Sequence, residues 1–190
     1  MKVGLFFGSF NPIHIGHMII AQTMLDCGRI DELWFVVSPQ NPFKKNNNLL
    51  HEFDRLDMVE AAIASQPKFR TCDIEFHLPR PSYTAHTLAV LSEKFPEKEF
   101  SLIIGGDNLA SFHKWKNYQT ILEHHDLLVY PRPNGEAPKI KSSNRIHFVE
   151  APLLDISATF IRDKIKKGHS IKYLVPNEVE NFIDGKKFYQ

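Results

Sequence analysis

The chain has 190 residues, of which 43% are hydrophobic and 24% charged, and its 23 Lys and Arg against 22 Asp and Glu leave a formal net charge of +1. This length predicts one domain, and the composition excludes a disordered chain, a collagen-like fibre and a coiled coil. A net charge so close to zero also excludes a dedicated binder of nucleic acids or of membrane surfaces.

Short apolar runs bounded by turn residues predict β-strands along the chain. The run at residues 33–37, LWFVV, does not alternate with polar residues, which is typical of a strand buried on both faces of a parallel sheet. The predicted strands cover residues 3–7, 33–37, 69–74, 100–104 and 127–130.

Apolar residues at helical spacing lie between these runs and after the last one, and they predict helices. The first three helices are one with Ile20, Met24 and Cys27 that stops at Gly28, one with Phe53, Leu56 and Val59 along one face, and one capped by Thr84 with Leu88, Leu91 and Phe95. The last two are one with Phe160, Ile161 and Ile165 that stops at Gly168, and a short one at residues 178–183.

The alternation of predicted strands and helices indicates an α/β fold, a doubly wound and mostly parallel sheet with helices on both faces. We expect one domain over residues 1–190, in which residues from about 150 to 190 form a small helical C-terminal part. Ligands of such sheets bind at the loops that follow the carboxyl ends of the strands. The residues that carry chemistry are therefore expected in those loops.

The loop after the first predicted strand, residues 8–17 (GSFNPIHIGH), carries two glycines and two histidines. Gly8 would allow a sharp turn, and Gly16 would allow a ligand to approach the helix start closely. A helix N-terminus carries roughly +0.5 charge, so His14 and His17 are explained there if an anion binds and both imidazoles donate to it. The loop has neither the P-loop nor the dinucleotide-binding glycine pattern. A phosphate site is favoured, with a metal pair and two structural histidines as alternatives.

A second segment of this kind lies at residues 156–162 (ISATFIR). Ser157 or Thr159 could cap a helix, and Arg162 would then lie in its first turns. Taken alone, the segment fits a capped helix with a solvated arginine. Taken with residues 8–17, it predicts two helix starts that hold one polyphosphate between them.

These two segments, in this order and at opposite ends of the chain, resemble the G-x-F-x-P-x-H-x-G-H and I-S-x-T-x-I-R motifs of the HxGH nucleotidylyltransferase superfamily. Within that superfamily the chain is similar to the bacterial nicotinate-nucleotide adenylyltransferases. The resemblance implies a Rossmann-like fold and a reaction that joins ATP and nicotinate mononucleotide to give nicotinate adenine dinucleotide and pyrophosphate, a step of NAD biosynthesis. Further matching segments are SYT at residues 82–84 with Thr87, GGDN at residues 105–108, Trp115, and RP at residues 132–133.

The resemblance also implies the residues of the site. Tyr83, Thr84 and Trp115 would form the pocket for the pyridine nucleotide, with Trp115 stacking on the ring, and Arg132 would be a further phosphate contact. The implied catalytic residues are His14, His17, Lys44 and Arg162. The implied ATP-binding residues are Gly8, Ser9, Phe10, His14, His17, Gly105, Asp107, Ser157, Thr159 and Arg162.

Several of these residues have an alternative role. Lys44 resembles the cation of the family's Pro-x-x-Lys loop, but Phe43 stands where the family often has histidine, and a solvated lysine beside Lys45 is the alternative. Asp107 could cap the next helix instead of binding ribose. Trp115 could pack at the periphery of the core.

The implied reaction needs no general base from the protein. A phosphate monoester has a second pKa of about 6, so the attacking phosphate is already deprotonated at neutral pH. Positioning and charge neutralisation then supply the catalysis. Mg²⁺ is the expected cofactor, held mainly by substrate phosphates and water rather than by protein ligands.

Two other functions remain as alternatives. One is an adenylyltransferase that acts on nicotinamide mononucleotide or on phosphopantetheine, and the other is a non-catalytic nucleotide-binding sensor. The presence of both His14 and His17 favours an enzyme. The expected partners are ATP and nicotinate mononucleotide, with no nucleic acid and no membrane, and the sequence leaves room for a homo-oligomer. No apolar run approaches the roughly 20 residues of a membrane span, and no signal peptide is evident, so a cytoplasmic protein is expected.

Overall fold

A computed structural model describes residues 1–39, 49–132 and 143–190. In this part of the chain, six parallel strands form one sheet in the order β3-β2-β1-β4-β5-β6. The strands are β1 (Lys2–Gly8), β2 (Glu32–Val37), β3 (Phe69–Cys72), β4 (Glu99–Gly105), β5 (Leu127–Tyr130) and β6 (Ile146–Phe148).

Helices connect these strands and follow the last of them. The α-helices among the described residues are α1 (Ile15–Asp26), α2 (Glu52–Ile63), α3 (Thr84–Lys94), α4 (Gly106–Ser111), α5 (Tyr118–His124), α6 (Ala158–Lys166) and α7 (Asn177–Lys186). Short 3-10 helices cover Ile74–His77 and Phe112–Lys114.

Both faces of the sheet are covered by helices, because its central strands are apolar on both sides. Phe6 and Phe35 face a core that includes residues of α1, α2, α6 and α7. Leu5 and Trp34 face a second core that includes residues of α3, α4 and α5. The predicted doubly wound α/β fold is confirmed.

The strand order reverses beside β1. The chain moves outward from β1 through β2 to β3, then returns to place β4 on the other side of β1. At such a switch point the loops leaving the two central strands diverge and open a crevice for ligands. The loop at residues 8–17 and the start of α4 lie at this point.

Most predicted elements lie where the sequence indicated. The runs at residues 33–37 and 127–130 match β2 and β5. Both predicted glycine stops are confirmed: Gly28 follows α1 with a φ of +72°, and Gly168 follows α6 with a φ of +68°. The helix predicted at residues 178–183 is α7. Three short elements, β6, α4 and α5, were not predicted because they are too short to show a clear period.

Three local predictions are wrong. The third strand ends at Cys72 rather than at residue 74, because Ile74 begins a 3-10 helix. The cap of α3 is Tyr83, so Thr84 is the first helical residue. Phe53 is 54% exposed, because α2 buries the face that carries Arg55 and the residues one and two turns after it.

The C-terminal helices pack on the same core as α1 and α2. Ile161, Val179 and Ile183 are almost completely buried there, which brings α6 beside the loop that leaves β1. In the residues that the structure describes, no helix has the length and hydrophobicity that crossing a membrane requires.

Candidate active site

A small pocket lies at the carboxyl ends of β1 and β5, neighbours of β4 in the sheet. The loop after β1 supplies its histidines, the end of β5 supplies an aromatic and a cationic side chain, and the segment before α6 closes one side. Residues that line it include His14, Gly16, His17, Tyr130, Arg132 and Ile156.

The two histidines of the first loop form a stacked pair at the start of α1. His14 is the residue before the helix and His17 lies in its first turn, with ring centroids 3.7 Å apart and ring planes at 27°. The Nδ1 atom of His17 accepts a hydrogen bond from the backbone N–H of His14 at 3.2 Å. A neutral His17 therefore carries its proton on Nε2, which makes Nε2 its hydrogen-bond donor.

Both imidazoles are neutral at pH 7 in the free protein. Burial and, to a smaller extent, the positive charge of Arg132 lower the pKa of His14 from 6.5 to about 4. The pKa of His17 is lowered well below its usual value, first by burial and then by His14 and Arg132. The Nδ1 atom of His14 is buried with no hydrogen-bond partner among the described residues. A bound anion would raise both pKa values, because it favours the charged form of each ring.

The depressed pKa of His14 makes the protein sensitive to acid. Between pH 6.5 and about 4, the unfolded chain binds a proton at this residue that the native state excludes. The free energy of unfolding should thus fall with decreasing pH in this window and be unaffected by His14 above it. Across this window, His14 should lower the free energy of unfolding by about 3 kcal/mol in total.

We expect the substitution His14→Asn to reduce the loss of stability between about pH 7 and about pH 4.5, measured by urea unfolding at each pH. Some loss should remain because the pKa of His17 is depressed too. The exposed His169, changed to Asn, is the matched control and should leave the pH dependence as in the wild type. An unchanged pH dependence in His14→Asn would contradict the assignment.

The sharp turn after β1 falls on Phe10 and not on Gly8, contrary to the prediction. Phe10 has a φ of +44°, whereas Gly8 is not in the left-handed region. Gly8 is required for another reason: a Cβ there would lie 2.7 to 3.0 Å from the Phe10 ring. That ring also meets the ring of His17 edge to face, with centroids 5.1 Å apart. Phe10 thus links the backbone of the turn to the histidine.

The close approach at Gly16 is made by the protein itself. A Cβ at Gly16 would lie 2.5 Å from Cγ2 of Ile156 and 3.0 Å from Nδ1 of His14. This packing requirement stands beside the predicted approach of a ligand, which stays a prediction. Ile156 belongs to the second predicted segment, so the contact joins the two segments directly.

The second segment starts α6 as a capped helix. The Ser157 side chain accepts a hydrogen bond from the backbone N–H of Phe160 at 3.2 Å, so Ser157 rather than Thr159 is the cap. Arg162 donates from Nη1 to the Asn11 carbonyl at 2.7 Å and from Nη2 to Thr159 Oγ1 at 3.1 Å. The starts of α1 and α6 are therefore adjacent, although Asn11 and Arg162 are 151 positions apart.

The ends of β4 and β5 bring a carboxylate and a cation together. A Cβ at Gly105 would collide with Oδ1 of Asp107 and lie 3.1 Å from Cγ of Arg132, so both side chains lie against this glycine. Asp107 is exposed and lies inside α4, whose cap is Gly105, which removes the alternative that it caps this helix. The guanidinium of Arg132 lies 5.4 Å from the centroid of the Tyr130 ring.

Tyr83 and Trp115 lie in neighbouring segments of the fold. The ammonium group of Lys116 lies 4.4 Å from the centroid of the Tyr83 ring, and Tyr83 is 38% exposed. Trp115 is partly buried and packs on Phe112 with ring centroids 5.0 Å apart. The alternative role of peripheral packing is therefore present, and part of the side chain remains accessible. Thr84 begins α3 directly after Tyr83.

Several residues around the site were not found from the sequence. Glu75 is 3% exposed and accepts a hydrogen bond from Thr87 at 2.9 Å, next to Tyr83. Arg55 is completely buried behind the first loop. The one feature of the sequence that could have indicated this is its position in line with the apolar residues of α2. Tyr189 left no signal, yet its hydroxyl reaches the same loop.

Some predicted features cannot be placed or have no protein ligands. Lys44, Phe43, Lys45 and Pro133 lie outside the described residues. Over the described residues, no group of three or more His, Cys, Asp or Glu side chains is arranged to hold a metal ion.

Comparison with protein families matches residues 5–164 to the cytidylyltransferase-like family. A curated protein of Cytophaga hutchinsonii named "probable nicotinate-nucleotide adenylyltransferase" is 58% identical over 189 residues, which cover 100% of this chain and 98% of the relative. A protein of the same name from Flavobacterium johnsoniae is 50% identical over 192 residues, with 100% of each chain covered.

Solved structures share the fold. Plasmodium falciparum nicotinic acid mononucleotide adenylyltransferase complexed with NaAD superposes with a TM-score of 0.82 at 20% identity, covering 99% of this chain and 97% of that one. The same enzyme complexed with APC also gives a TM-score of 0.82, at 19% identity, covering 99% of this chain and 96% of that one. At such low identity, these matches establish the architecture of the chain.

Proposed function

This chain belongs to the nicotinate-nucleotide adenylyltransferases of the cytidylyltransferase-like family, and from this membership we propose how its residues transfer the adenylyl group of ATP to nicotinate mononucleotide. The reaction gives nicotinate adenine dinucleotide and pyrophosphate. The observation that carries the proposal is the contact between Arg162 and the Asn11 carbonyl, because it puts the two helix starts within reach of one triphosphate.

The attacking atom is an oxygen of the 5′-phosphate of nicotinate mononucleotide. It forms a bond to the α-phosphorus of ATP while the bond from that phosphorus to the oxygen bridging to the β-phosphorus breaks, and pyrophosphate leaves. The nucleophile is already deprotonated at neutral pH, so the neutral histidines are not required as bases. Catalysis then comes from alignment and from donors aimed at the charge on the phosphoryl oxygens.

His14 and His17 supply donors at the start of α1. The hydrogen bond from His14 N–H to His17 Nδ1 holds the Nε2 proton of His17 in place for a phosphoryl oxygen. When the triphosphate binds, its charge raises the pKa of both imidazoles and strengthens these bonds. Arg132 helps to lower both histidine pKa values in the free protein. A bound triphosphate would offset this effect, because its negative charge attracts Arg132 and both imidazoles.

Arg162 and Ser157 hold the leaving phosphates at the start of α6. The two donor edges of Arg162 that contact Asn11 and Thr159 fix the guanidinium, and Lys44 is proposed as an additional cation. Asp107 is exposed at the end of β4 beside Arg132, where its carboxylate can accept hydrogen bonds from the ribose hydroxyls.

Mg²⁺ is proposed to enter with ATP. The ion would be held mainly by phosphate oxygens and water rather than by protein ligands. When bound, the ion neutralises charge on the triphosphate.

The acceptor pocket is proposed to lie between Tyr83 and Trp115. Lys116 is adjacent to both and brings a positive charge that suits the carboxylate of nicotinate better than a neutral amide. Thr84, the first residue of α3 and the neighbour of Tyr83, offers a hydroxyl and a backbone N–H that lacks a partner within the helix.

We expect Trp115→Ala to raise the KM for nicotinate mononucleotide by about tenfold while the KM for ATP changes less than about twofold, because stacking on an aromatic ring contributes roughly 1–3 kcal/mol per base. Steady-state kinetics with each substrate varied in turn measures both values. Trp115→Phe should restore much of the affinity. Equal changes in the two KM values would contradict a pocket specific for the pyridine ring.

A pyrophosphate-release assay tests the function as a whole. Purified protein is supplied with ATP and Mg²⁺ together with nicotinate mononucleotide, nicotinamide mononucleotide or phosphopantetheine in separate reactions. Release with nicotinate mononucleotide above the others is the expected result. Release only with phosphopantetheine would assign a different acceptor, and no release with any acceptor would favour a nucleotide-binding sensor.

A further inference from the structure

Arg55 is a buried cation that contacts the backbone of the first loop from behind. It lies on α2 with no solvent exposure. Its guanidinium donates to four main-chain carbonyls at distances of 2.5 to 3.0 Å, which occupy most of its five N–H donors. The acceptors are the carbonyls of Ser9, Ser38, Pro39 and Leu50.

No carboxylate forms an ion pair with this guanidinium among the described residues. Burial lowers the pKa of Arg55 to about 10, so the side chain is still charged at neutral pH. A buried charge is costly unless hydrogen bonds compensate it, and here the carbonyl dipoles do so. The arrangement therefore joins the ends of β1 and β2 to α2 through one rigid, planar group.

A second anchor holds the same loop two residues further on. The side-chain oxygen of Asn11 accepts hydrogen bonds from the Tyr189 hydroxyl at 2.8 Å and from the Leu50 N–H at 3.3 Å. Burial raises the pKa of Tyr189 well above its usual range, so the hydroxyl keeps the proton it donates. The backbone of Leu50 takes part in both anchors, since its N–H donates to Asn11 and its carbonyl accepts from Arg55.

Phe10 lies between these anchors in a strained conformation. Its φ of +44° is unfavourable for a residue with a side chain and costs roughly 1–2 kcal/mol. Its ring is 2% exposed, covers Gly8, and meets the His17 ring edge to face. Fixing Ser9 and Asn11 on either side keeps this ring in place.

We propose that Arg55 is a positioning residue: by holding the Ser9 carbonyl it keeps Phe10 in its left-handed conformation, and through the Phe10 ring it orients the imidazole of His17 for catalysis. This inference rests on the proposed function, because turnover is one of its readouts. Arg55 touches no substrate and acts only through the loop.

The test is Arg55→Lys, which keeps the positive charge but cannot reach four carbonyls with a planar fork. We expect kcat to fall at least about tenfold with the KM for ATP changed less than about threefold, because a displaced donor weakens transition-state binding more than ground-state binding. The ring-nitrogen NMR signals of His17 should also move, reporting a weaker hydrogen bond to Nδ1.

Ile63→Ala is the matched control for lost stability. Ile63 is buried on the same helix two turns further along and makes no side-chain hydrogen bond to the loop. We expect it to lower the unfolding temperature while kcat and the His17 signals stay as in the wild type. A fall in kcat as large as that of Arg55→Lys would reduce the effect to general destabilisation and overturn the proposal.

Tyr189→Phe keeps the proposal testable if Arg55→Lys does not fold. It removes one hydroxyl from the second anchor, and a smaller fall in kcat with the same NMR change is expected. Wild-type kcat and unmoved His17 signals in folded Arg55→Lys, or in Tyr189→Phe when Arg55→Lys does not fold, would overturn the proposal. If the wild type releases no pyrophosphate, the proposed function fails, and the NMR comparison alone then decides whether Arg55 positions His17.

Discussion

Replacing His17 by alanine is expected to lower kcat by at least about 100-fold, the size of the effect when one preorganised transition-state donor is lost. The Nε2 proton of His17 is fixed in place because Nδ1 accepts from the His14 backbone. Alanine removes this donor, and it also removes the ring that packs on Phe10. The KM for ATP should rise much less, because the donor serves the charge that develops at the α-phosphate during transfer.

Steady-state pyrophosphate release by His17→Ala and by the exposed-site control His169→Ala makes the comparison. The control should match the wild type. His17→Gln should recover a small part of the activity, since its amide can donate from a similar position. Full turnover by His17→Ala would remove this histidine from the mechanism.

Replacing Arg162 by alanine is expected to lower kcat/KM for ATP by about 100-fold. The charge-assisted contact of Arg162 with the departing phosphates stabilises both bound ATP and the transition state, and alanine removes it from both. The substitution also removes the hydrogen bond that Arg162 donates to the Asn11 carbonyl at 2.7 Å. The first consequence weakens binding of the triphosphate, and the second loosens the first loop. Arg162→Lys should fall between alanine and the wild type, because lysine keeps the charge but not the fork.

Lys164→Ala is the matched control for this change. Lys164 lies on the same helix, and its ammonium group is 5.2 Å from the centroid of the Phe160 ring rather than at the first loop. We expect its kinetics to equal those of the wild type. If Lys164→Ala and Arg162→Ala had the same effect, the role of Arg162 would be no more than the general positive charge of α6.

Local patterns in the sequence predicted the elements that local physics controls. The apolar run of β2, the capped start of α6 and the glycine stops after α1 and α6 each depend on neighbours within about one turn or one strand, so residue type and spacing suffice, although the choice of Ser157 over Thr159 as the cap came from the structure. The misplaced face of α2 is instructive. Its apolarity placed Phe53 with Leu56 and Val59 on one face of the helix, but Phe53 is 54% exposed, and the charged Arg55, which the sequence did not single out, is completely buried.

The two motif segments predicted a polyphosphate site through their combined pattern. The structure supplies the contacts behind that pattern, since the packing of α6 and α7 against the core of α1 and α2 brings Arg162 to Asn11. The structure also gives each of the two glycines a packing role that the sequence did not reveal. Gly8 makes room for the Phe10 ring and Gly16 for Ile156.

The sequence by itself determined the alternation of strands and helices, the loop after the first strand with its two histidines, and the family to which these motifs belong. Only the tertiary structure decided that Phe10 takes the strained turn, that Lys116 reaches Tyr83, and that Arg55 holds the loop. The physical reason is that Arg55 binds main-chain carbonyls, which every residue carries. No residue type marks the position of such a partner, and its location depends on how segments far apart in the chain come to lie side by side.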